Sequence, residues 1–537
     1  MSQATEQTDI VIVGAGFTGI YMAHKAQALG LSLIALERGG GVGGTWYWNR
    51  YPGLRCDVES VDYSYSFSPT LQQEWTWTEK FPSQPEILRY LEWAAKKLDV
   101  TKYFRFNTEV TAATWHEDIT RWRVTTNLGD TVQTIEAKYI VWGTGMLSIP
   151  KIPVITGLED FTGLVLNTAT WPQTPVDFTD KKVAVLGTGS SGIQVIPIVA
   201  QQAAHLFVLQ RTPSFSLPAN NKALAPERMA WIKDNYDQYR ADARHSRLGC
   251  VTESVGKNFA ELTPVEARAE LERTYNYGSP MRFSSTFNDI VVDQKANKAA
   301  ADFAREKIRE RIADPILAKK LMPDHYITTR RLCIDTNYYE TYNRPNVTLI
   351  DLREENLVRF TDSGFETTKA PYDIDIFILA TGFDAITGAL NRIDITGRNG
   401  QKLAAKWAVA PSCYLGIAVA GFPNMFVVAG PGSPGPLSNV VLSLEQHVEW
   451  ITAMLTFLEK EGVTTFDPTV EAERAWDDHV AELSNGTLMR FADSWYTGTN
   501  VAGKPRGNVV YMGGLAPYEK EIIEVATHGY LGFTLTK

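Results

Sequence analysis

Apolar residues crowd positions 10–13 in the segment DIVIVGAGFTGIYMAHKAQALGLSLIALE, recur at helical spacing from Ile20 to Leu29, then crowd again over 31–36. An unbroken short apolar run predicts a strand buried on both faces, and the 3.6-residue spacing predicts a helix. The segment therefore reads strand, Gly-rich turn, helix, strand. The same order returns over 181–211, KKVAVLGTGSSGIQVIPIVAQQAAHLFVLQR. Between the two, TEVTAATWHEDITRWRVTTNLGDTVQTIEAKYIVWGTG alternates as hairpin strands do and ends in the apolar run Tyr139–Trp142. A comparable run, IDIFILATG, ends at Gly382. Each predicts a strand that closes a nucleotide-binding domain.

Residues 213–325 change character. PERMAWIKDNYDQYRADARHSR, TPVEARAELERTY and AADFAREKIRERI are helical by period and charge pattern, which predicts an α-helical insertion. Further on, SLEQHVEWITAMLTFLEKEG predicts an amphipathic helix stopped by Gly462. The fold class expected is α/β, with two Rossmann-like dinucleotide-binding domains and that insertion.

Composition narrows the function. Aromatic residues make up 11% of the 537, with 14 Trp, which implies a globular chain of a few domains. The net charge of −9 offers no clustered cations for nucleic acid or an anionic membrane. MSQATEQTD has neither a basic n-region nor an apolar h-region, so no signal peptide is expected. No apolar run approaches the ~18–20 residues that span a bilayer. Cys56, Cys250, Cys333 and Cys413 are scattered, with no CxxC. That spacing argues against a disulfide framework, a metal site and a dithiol redox centre, and a reducing cytoplasm fits.

Gly14, Gly16 and Gly19 form GxGxxG between the first strand and helix, and Glu37 ends the second strand. In such a turn the first Gly turns tightly, the second admits a pyrophosphate and the third lets helix and strand approach. An acid at Glu37 suits free ribose hydroxyls, as in FAD or NAD. Gly187, Gly189 and Gly192 repeat the pattern, but there the second strand ends at Gln210-Arg211. A cation in that place pairs with a 2′-phosphate that an acid would repel. The second site is therefore expected to take NADPH, with Arg211 and Thr212 near the phosphate. With no dithiol in the chain, O2 is the natural electron acceptor.

Longer motifs carry a more specific signal. Gly43-Gly44-Thr45-Trp46, Tyr51-Pro52-Gly53 and Asp57 resemble the GGxW…YPG…D stretch of type I Baeyer–Villiger monooxygenases, of the phenylacetone, steroid and cyclohexanone group. Residues 161–172, with Phe161, Gly163, Trp171 and Pro172, resemble the FxGxxxHxxxWP fingerprint of that family, except that Asn167 holds the His position. Arg330-Arg331-Leu332, Ala380–Asp384 (ATGFD), Gly430–Pro434 with Leu437–Asn439, and Ser494-Trp495-Tyr496 with Asn500 and Gly503–Arg506 extend the resemblance over the whole chain.

The resemblance implies an FAD- and NADPH-dependent enzyme that converts ketones to esters or lactones with O2 through a C4a-peroxyflavin. It implies catalytic roles for Arg331 and Asp57. It implies cofactor contacts from Gly44, Thr45, Trp46, Asp57, Tyr63, Thr188, Ser190, Ser191, Gln194, Arg330, Arg331 and Trp495, beside the residues of the two turns. The domains expected are 1–147 and 381–537 for FAD, the latter with a C-terminal cofactor-covering segment, 148–212 and 326–380 for NADPH, and 213–325 for the insertion. Asn167 keeps hydrogen-bonding capacity but carries no titrating charge near neutral pH. Lys504 is a further candidate in a basic loop, Asn439 caps a helix or lines the pocket, and Pro436 is expected to stiffen its loop. Two alternatives stand beside ketone oxygenation: a flavin monooxygenase acting on sulfur or nitrogen, and an NADPH oxidase that mainly releases H2O2. The partners expected are a ketone and O2, with a monomer plausible.

Overall fold

In the computed structural model, residues 5–129, 131–499, 503, 506, 507 and 509–537 are described. Strand Glu6–Val13 lies at the centre of the first sheet, parallel to Leu33–Leu36 on one side and to Thr131–Trp142 on the other. Alternation then sends its residues to opposite cores. Ile10 and Ile12 pack with Ile20 and Phe104, whereas Val11 and Val13 pack with Trp122 and Trp142. This double burial is why the sequence shows an unbroken apolar run rather than alternation.

The sheet runs in the order Asp394–Thr396, Thr108–His116, Arg121–Leu128, Thr131–Trp142, Glu6–Val13, Leu33–Leu36, Phe104–Arg105. Strand Met425–Val427 also pairs with the far end of Thr131–Trp142. The hairpins read from alternation are present, with Thr108–His116 and Arg121–Leu128 antiparallel. The first helix spans Phe17–Ala28, beginning three residues before the expected Ile20, because Gly16 is itself the N-cap and the turn runs straight into the helix.

A second sheet has five parallel strands in the order Val347–Asp351, His205–Gln210, Lys182–Leu186, Ile376–Leu379, Leu164–Asn167. Helix Ser190–Gln202 packs on it through Ile193, Ile196 and Val199. Between its third and fourth elements in the chain lie helices Pro226–Asp234, Tyr236–Arg244, Pro264–Tyr277, Pro280–Phe283, Gln294–Arg311 and Pro315–Leu321. Their starts follow from local chemistry. Thr263 and Glu266 form a reciprocal capping box, and Asp293 and Asp314 cap the next two long starts. Helix Val440–Glu461 ends at Gly462 with φ 66°, the left-handed stop expected from its sequence. Among the described residues no helix is long and apolar enough to cross a membrane.

Candidate active site

Both glycine turns open on one cavity of about 1120 Å³. That exceeds the ~300–1,000 Å³ of an ordinary ligand pocket. Gly14 has φ 106°, and a Cβ there would lie 2.4 Å from the Gly143 carbonyl oxygen. At Gly19 a Cβ would lie 1.8 Å from the Gly14 oxygen. The first turn is therefore closed to any side chain by backbone on two sides. Gly44, with φ 54°, packs against Gly16, where its Cβ would be 2.8 Å from the Gly16 Cα. This contact explains the paired glycines before Thr45 and Trp46.

Neither helix that starts at these turns has a side-chain cap or an acid in its first turn. Their first N–H groups and positive dipole ends remain free for an anion. Glu37 is buried at the strand end and accepts from the Ala15 N–H at 2.9 Å and the Gly39 N–H at 2.6 Å. Its carboxylate is thereby held beside the turn, where it suits ribose hydroxyls.

The second turn repeats the geometry with a different charge. Gly187 has φ 113°, and its Cβ would lie 2.4 Å from the Ala380 oxygen, while that of Gly192 would lie 2.1 Å from the Gly187 oxygen. At Gly189 a Cβ would meet nothing within 4 Å, so this position faces open space. The Thr188 hydroxyl donates to the Thr212 carbonyl at 3.2 Å, tying the turn to the strand end. Arg211, Arg330 and Lys151 all line the cavity here. Burial lowers the pKa of Arg330 and of Lys151, and the nearby Arg211 charge lowers both further. The Arg330 Nε is buried with no hydrogen-bond partner. Two cations that each repel Arg211, with an orphaned donor beside them, are an arrangement a phosphate would relieve. Lys151 carried no motif in the sequence; only the packing of the two sheets brings it to this cluster.

Arg331 and Asp57 meet as a bidentate pair. Nε donates to Oδ2 at 2.7 Å and an Nη to Oδ1 at 2.5 Å. Burial pushes the Arg331 pKa down, but the Asp57 carboxylate outweighs it and holds the guanidinium well above its usual range. It stays charged. The buried Tyr496 hydroxyl adjoins it; burial raises its pKa and Arg331 opposes the rise, leaving it at about 12. Tyr496 was quoted in the sequence only as part of a motif, with no sign of this contact. Arg331 also lines a second cavity of about 440 Å³, with Met281, Phe287, Leu332, Leu437, Met489 and Met512 on its walls. The guanidinium thus stands in the partition between the two spaces.

The other sequence candidates fall into four groups. Gly44, Thr45, Trp46, Tyr63, Ser190, Ser191, Gln194, Thr212 and Trp495 line the large cavity. The Trp46 indole N–H donates to the Tyr63 hydroxyl at 3.2 Å, and the rings meet edge-on. Gln194 also bridges the two folds: its oxygen accepts from the Tyr51 hydroxyl at 3.0 Å and its amide donates to the Arg55 carbonyl at 3.1 Å. Gly53, with φ 85°, permits this approach, since its Cβ would lie 2.5 Å from the Gln194 carbonyl.

The fingerprint residues sit elsewhere. Strand Leu164–Asn167 is the edge of the second sheet, Asn167 pairs in register with Leu379, and its Oδ1 accepts from the Ala169 N–H at 2.9 Å. Phe161 packs on Phe360 and Trp171 on Phe178, while a Cβ at Gly163 would lie 2.3 Å from the Phe161 ring. Pro172 follows Trp171 into the next loop. Asn439 is the N-cap of Val440–Glu461, accepting from Val441 at 3.2 Å and donating to Asp62. Asn500, Lys504 and Pro505, and the side chain of Pro436, lie outside the described residues.

Two dinucleotide turns on one cavity define a class, the two-nucleotide oxidoreductases, and residues 11–259 match the family model described as pyridine nucleotide-disulphide oxidoreductase. All four cysteines are buried and free. Acetone monooxygenase (methyl acetate-forming) from Gordonia sp. (strain TY-5) is 39% identical over 536 residues, covering 99% of this chain and 100% of the relative. Phenazine N-monooxygenase PhzNO1 from Lysobacter antibioticus is 39% identical over 98% of this chain and 97% of its own. An oxidized steroid monooxygenase bound to NADP superposes with a TM-score of 0.94 at 45% identity, over 99% of both chains. The chain belongs to the Baeyer–Villiger monooxygenases.

Proposed function

We propose that this chain binds FAD on the first turn and NADPH on the second, and oxygenates a ketone to an ester or lactone. The two uncapped helix starts, Glu37 beside the first turn and the Arg211–Arg330–Lys151 group beside the second support that order. Flavin reduced by NADPH supplies activated oxygen when bound. Every other requirement falls on the protein.

The observation that carries the reading is the bidentate Arg331–Asp57 pair in the partition. Addition of oxygen to a carbonyl carbon leaves negative charge on the carbonyl oxygen. A permanent cation beside that oxygen stabilises the charge as it develops, and a guanidinium does so without giving up its proton. Asp57 holds the fork in one orientation, and Tyr496 supplies a neutral donor beside it. Trp46, Tyr63 and Trp495 line the cavity and exclude water from the reacting centre. Gln194 clasps the two folds so that both nucleotides address one point. Residues 1–147 with 381–537 serve the flavin, 148–212 with 326–380 serve NADPH, and 213–325 covers the substrate side. Four free cysteines suit a reducing cytoplasm.

The test is NADPH consumption and ester formation over a panel of linear, cyclic and aryl ketones. Near-equal amounts of NADPH consumed and ester formed are expected. Arg331→Ala should retain flavin and lose ester formation by about 10²–10³-fold, the scale of a lost oxyanion donor. Normal ester yield in that variant would sink the role of Arg331. The relative named phenazine N-monooxygenase favours one second reading, oxygenation of an aromatic nitrogen. Inertness towards all ketones, with N-oxide formed from a phenazine, would establish it instead.

A further inference from the structure

Two arginines three residues apart have opposite surroundings. Arg244 is saturated: its Nε donates to Glu519 at 2.6 Å and an Nη to Glu449 at 2.7 Å. Arg247 has no hydrogen-bond or ion-pair partner for its guanidinium among the described residues. Its main chain is anchored, because the Arg247 carbonyl accepts from the Leu515 N–H at 2.8 Å. Its stem lies against Gly514, where a Cβ would come within 2.7 Å of the Arg247 Cγ. The side chain is exposed by surface area, yet burial lowers its pKa. Arg247 lines the 440 Å³ cavity, which is partly open to solvent.

The charge of that cavity is one-sided. Its described lining contains Arg247, Arg330 and Arg331 and no carboxylate. Arg331 is paired with Asp57, on the other side of the wall, and Arg330 also lines the nucleotide cavity. Arg247 is therefore the cation left to the smaller space. Thr252, Ser254, Ser284, Ser285 and Asn288 line the same space and offer neutral donors. The remaining lining is largely apolar. Arg247 is exposed to this space, so a ligand anion there would meet its guanidinium with no carboxylate of the described lining competing for it.

We infer that the substrate is a ketone carrying a carboxylate, with Arg247 as the specificity-determining residue that binds the carboxylate while the carbonyl faces Arg331. This rests on the ketone-oxygenating reading above and names its substrate class. A planar fork and a carboxylate form two parallel charge-assisted bonds, so the anion sets the distance of the ketone from the partition as well as its affinity.

The test compares 5-oxohexanoate, its methyl ester and 2-octanone on the FAD-loaded enzyme with NADPH. The expected result is a kcat/KM for the acid at least about tenfold above that for the ester. In Arg247→Ala, the KM for the acid should rise by about 10–100-fold, the size of a lost charge-assisted contact, with kcat and the constants for 2-octanone within about twofold. Arg247→Lys should recover part of the loss. An unchanged KM for the acid in Arg247→Ala, or wild-type preference for the ester, overturns the inference and leaves ketone oxygenation standing. Calorimetric titration of the NADP+-loaded flavoprotein with 5-oxohexanoate keeps the two failures apart. If no ketone is converted, the oxygenation reading falls, and the anion site is still judged by that isotherm: at least about tenfold weaker binding in Arg247→Ala supports it, equal binding rejects it.

Discussion

The two dinucleotide folds are alike in backbone and opposite in charge. In both, the first glycine adopts positive φ against a neighbouring strand and the third lets the helix sit on the turn. In both, the helix start is left uncapped. They part company at the end of the second strand. The first fold places Glu37 there, held by two backbone N–H groups. The second places Arg211 there and gathers Arg330 and Lys151 around it. In the function proposed above, the turn takes the pyrophosphate and the charge one strand away selects which nucleotide brings it.

The largest effect should come from one substitution made in each fold. Gly19→Ala and Gly192→Ala both drive a Cβ into the first glycine's carbonyl, at 1.8 Å and 2.1 Å. Gly19→Ala is expected to yield protein largely free of flavin, seen as loss of visible absorbance. Gly192→Ala is expected to keep its flavin and raise the KM for NADPH by more than about tenfold. Loss of flavin in both variants would mean that the second fold does not stand as a separate site.

An intermediate effect is expected at the charge. Arg211→Ala and Arg330→Ala should each raise the KM for NADPH by about tenfold, while the KM for NADH moves by less than about twofold. Equal changes for both nucleotides would remove the 2′-phosphate from this cluster.

Much of this was legible in the sequence because it is local. The apolar runs, the glycine spacing, Glu37 and Arg211 lie within two short segments, and a strand–turn–helix places them without help from the rest of the chain. The meeting of Arg331 with Asp57 spans 274 positions and was available only through resemblance to a family. Lys151, Tyr496 and Arg247 were not legible, since their meaning depends on which remote charges stand beside them. Gln194 was read as a cofactor contact, and its link to Tyr51 and Arg55 shows a joint between folds that no spacing rule contains. Asn167 is similar: its side chain closes a short turn at a sheet edge, a task that needs an acceptor and not a titrating ring.

The smallest effect concerns stability and separates the folds again. Helix Val440–Glu461, which packs behind the first turn, buries Glu445, whose carboxylate accepts from the Ser66 N–H at 2.7 Å and from the Ser66 hydroxyl. Burial pushes its pKa up to about 7. A raised folded pKa stabilises while the group is protonated. That contribution is whole below the unfolded value of ~4.3, and is lost as pH rises to about 7. Glu445→Gln should therefore raise Tm by about 2–3 °C at pH 8, from at most about 3 kcal/mol, and leave it nearly unchanged at pH 4. The same gain at both pH values would show that charge at this position is not the cause.

Arg331 borders both the nucleotide cavity and the smaller one. The guests of the two spaces are then coupled through one guanidinium. Thermodynamic linkage makes the coupling reciprocal: whatever factor a bound nucleotide adds to the affinity of the guest across the partition, that guest returns to the nucleotide. A single side chain shared by two rooms thus makes the hold on either guest depend on whether the other is in place.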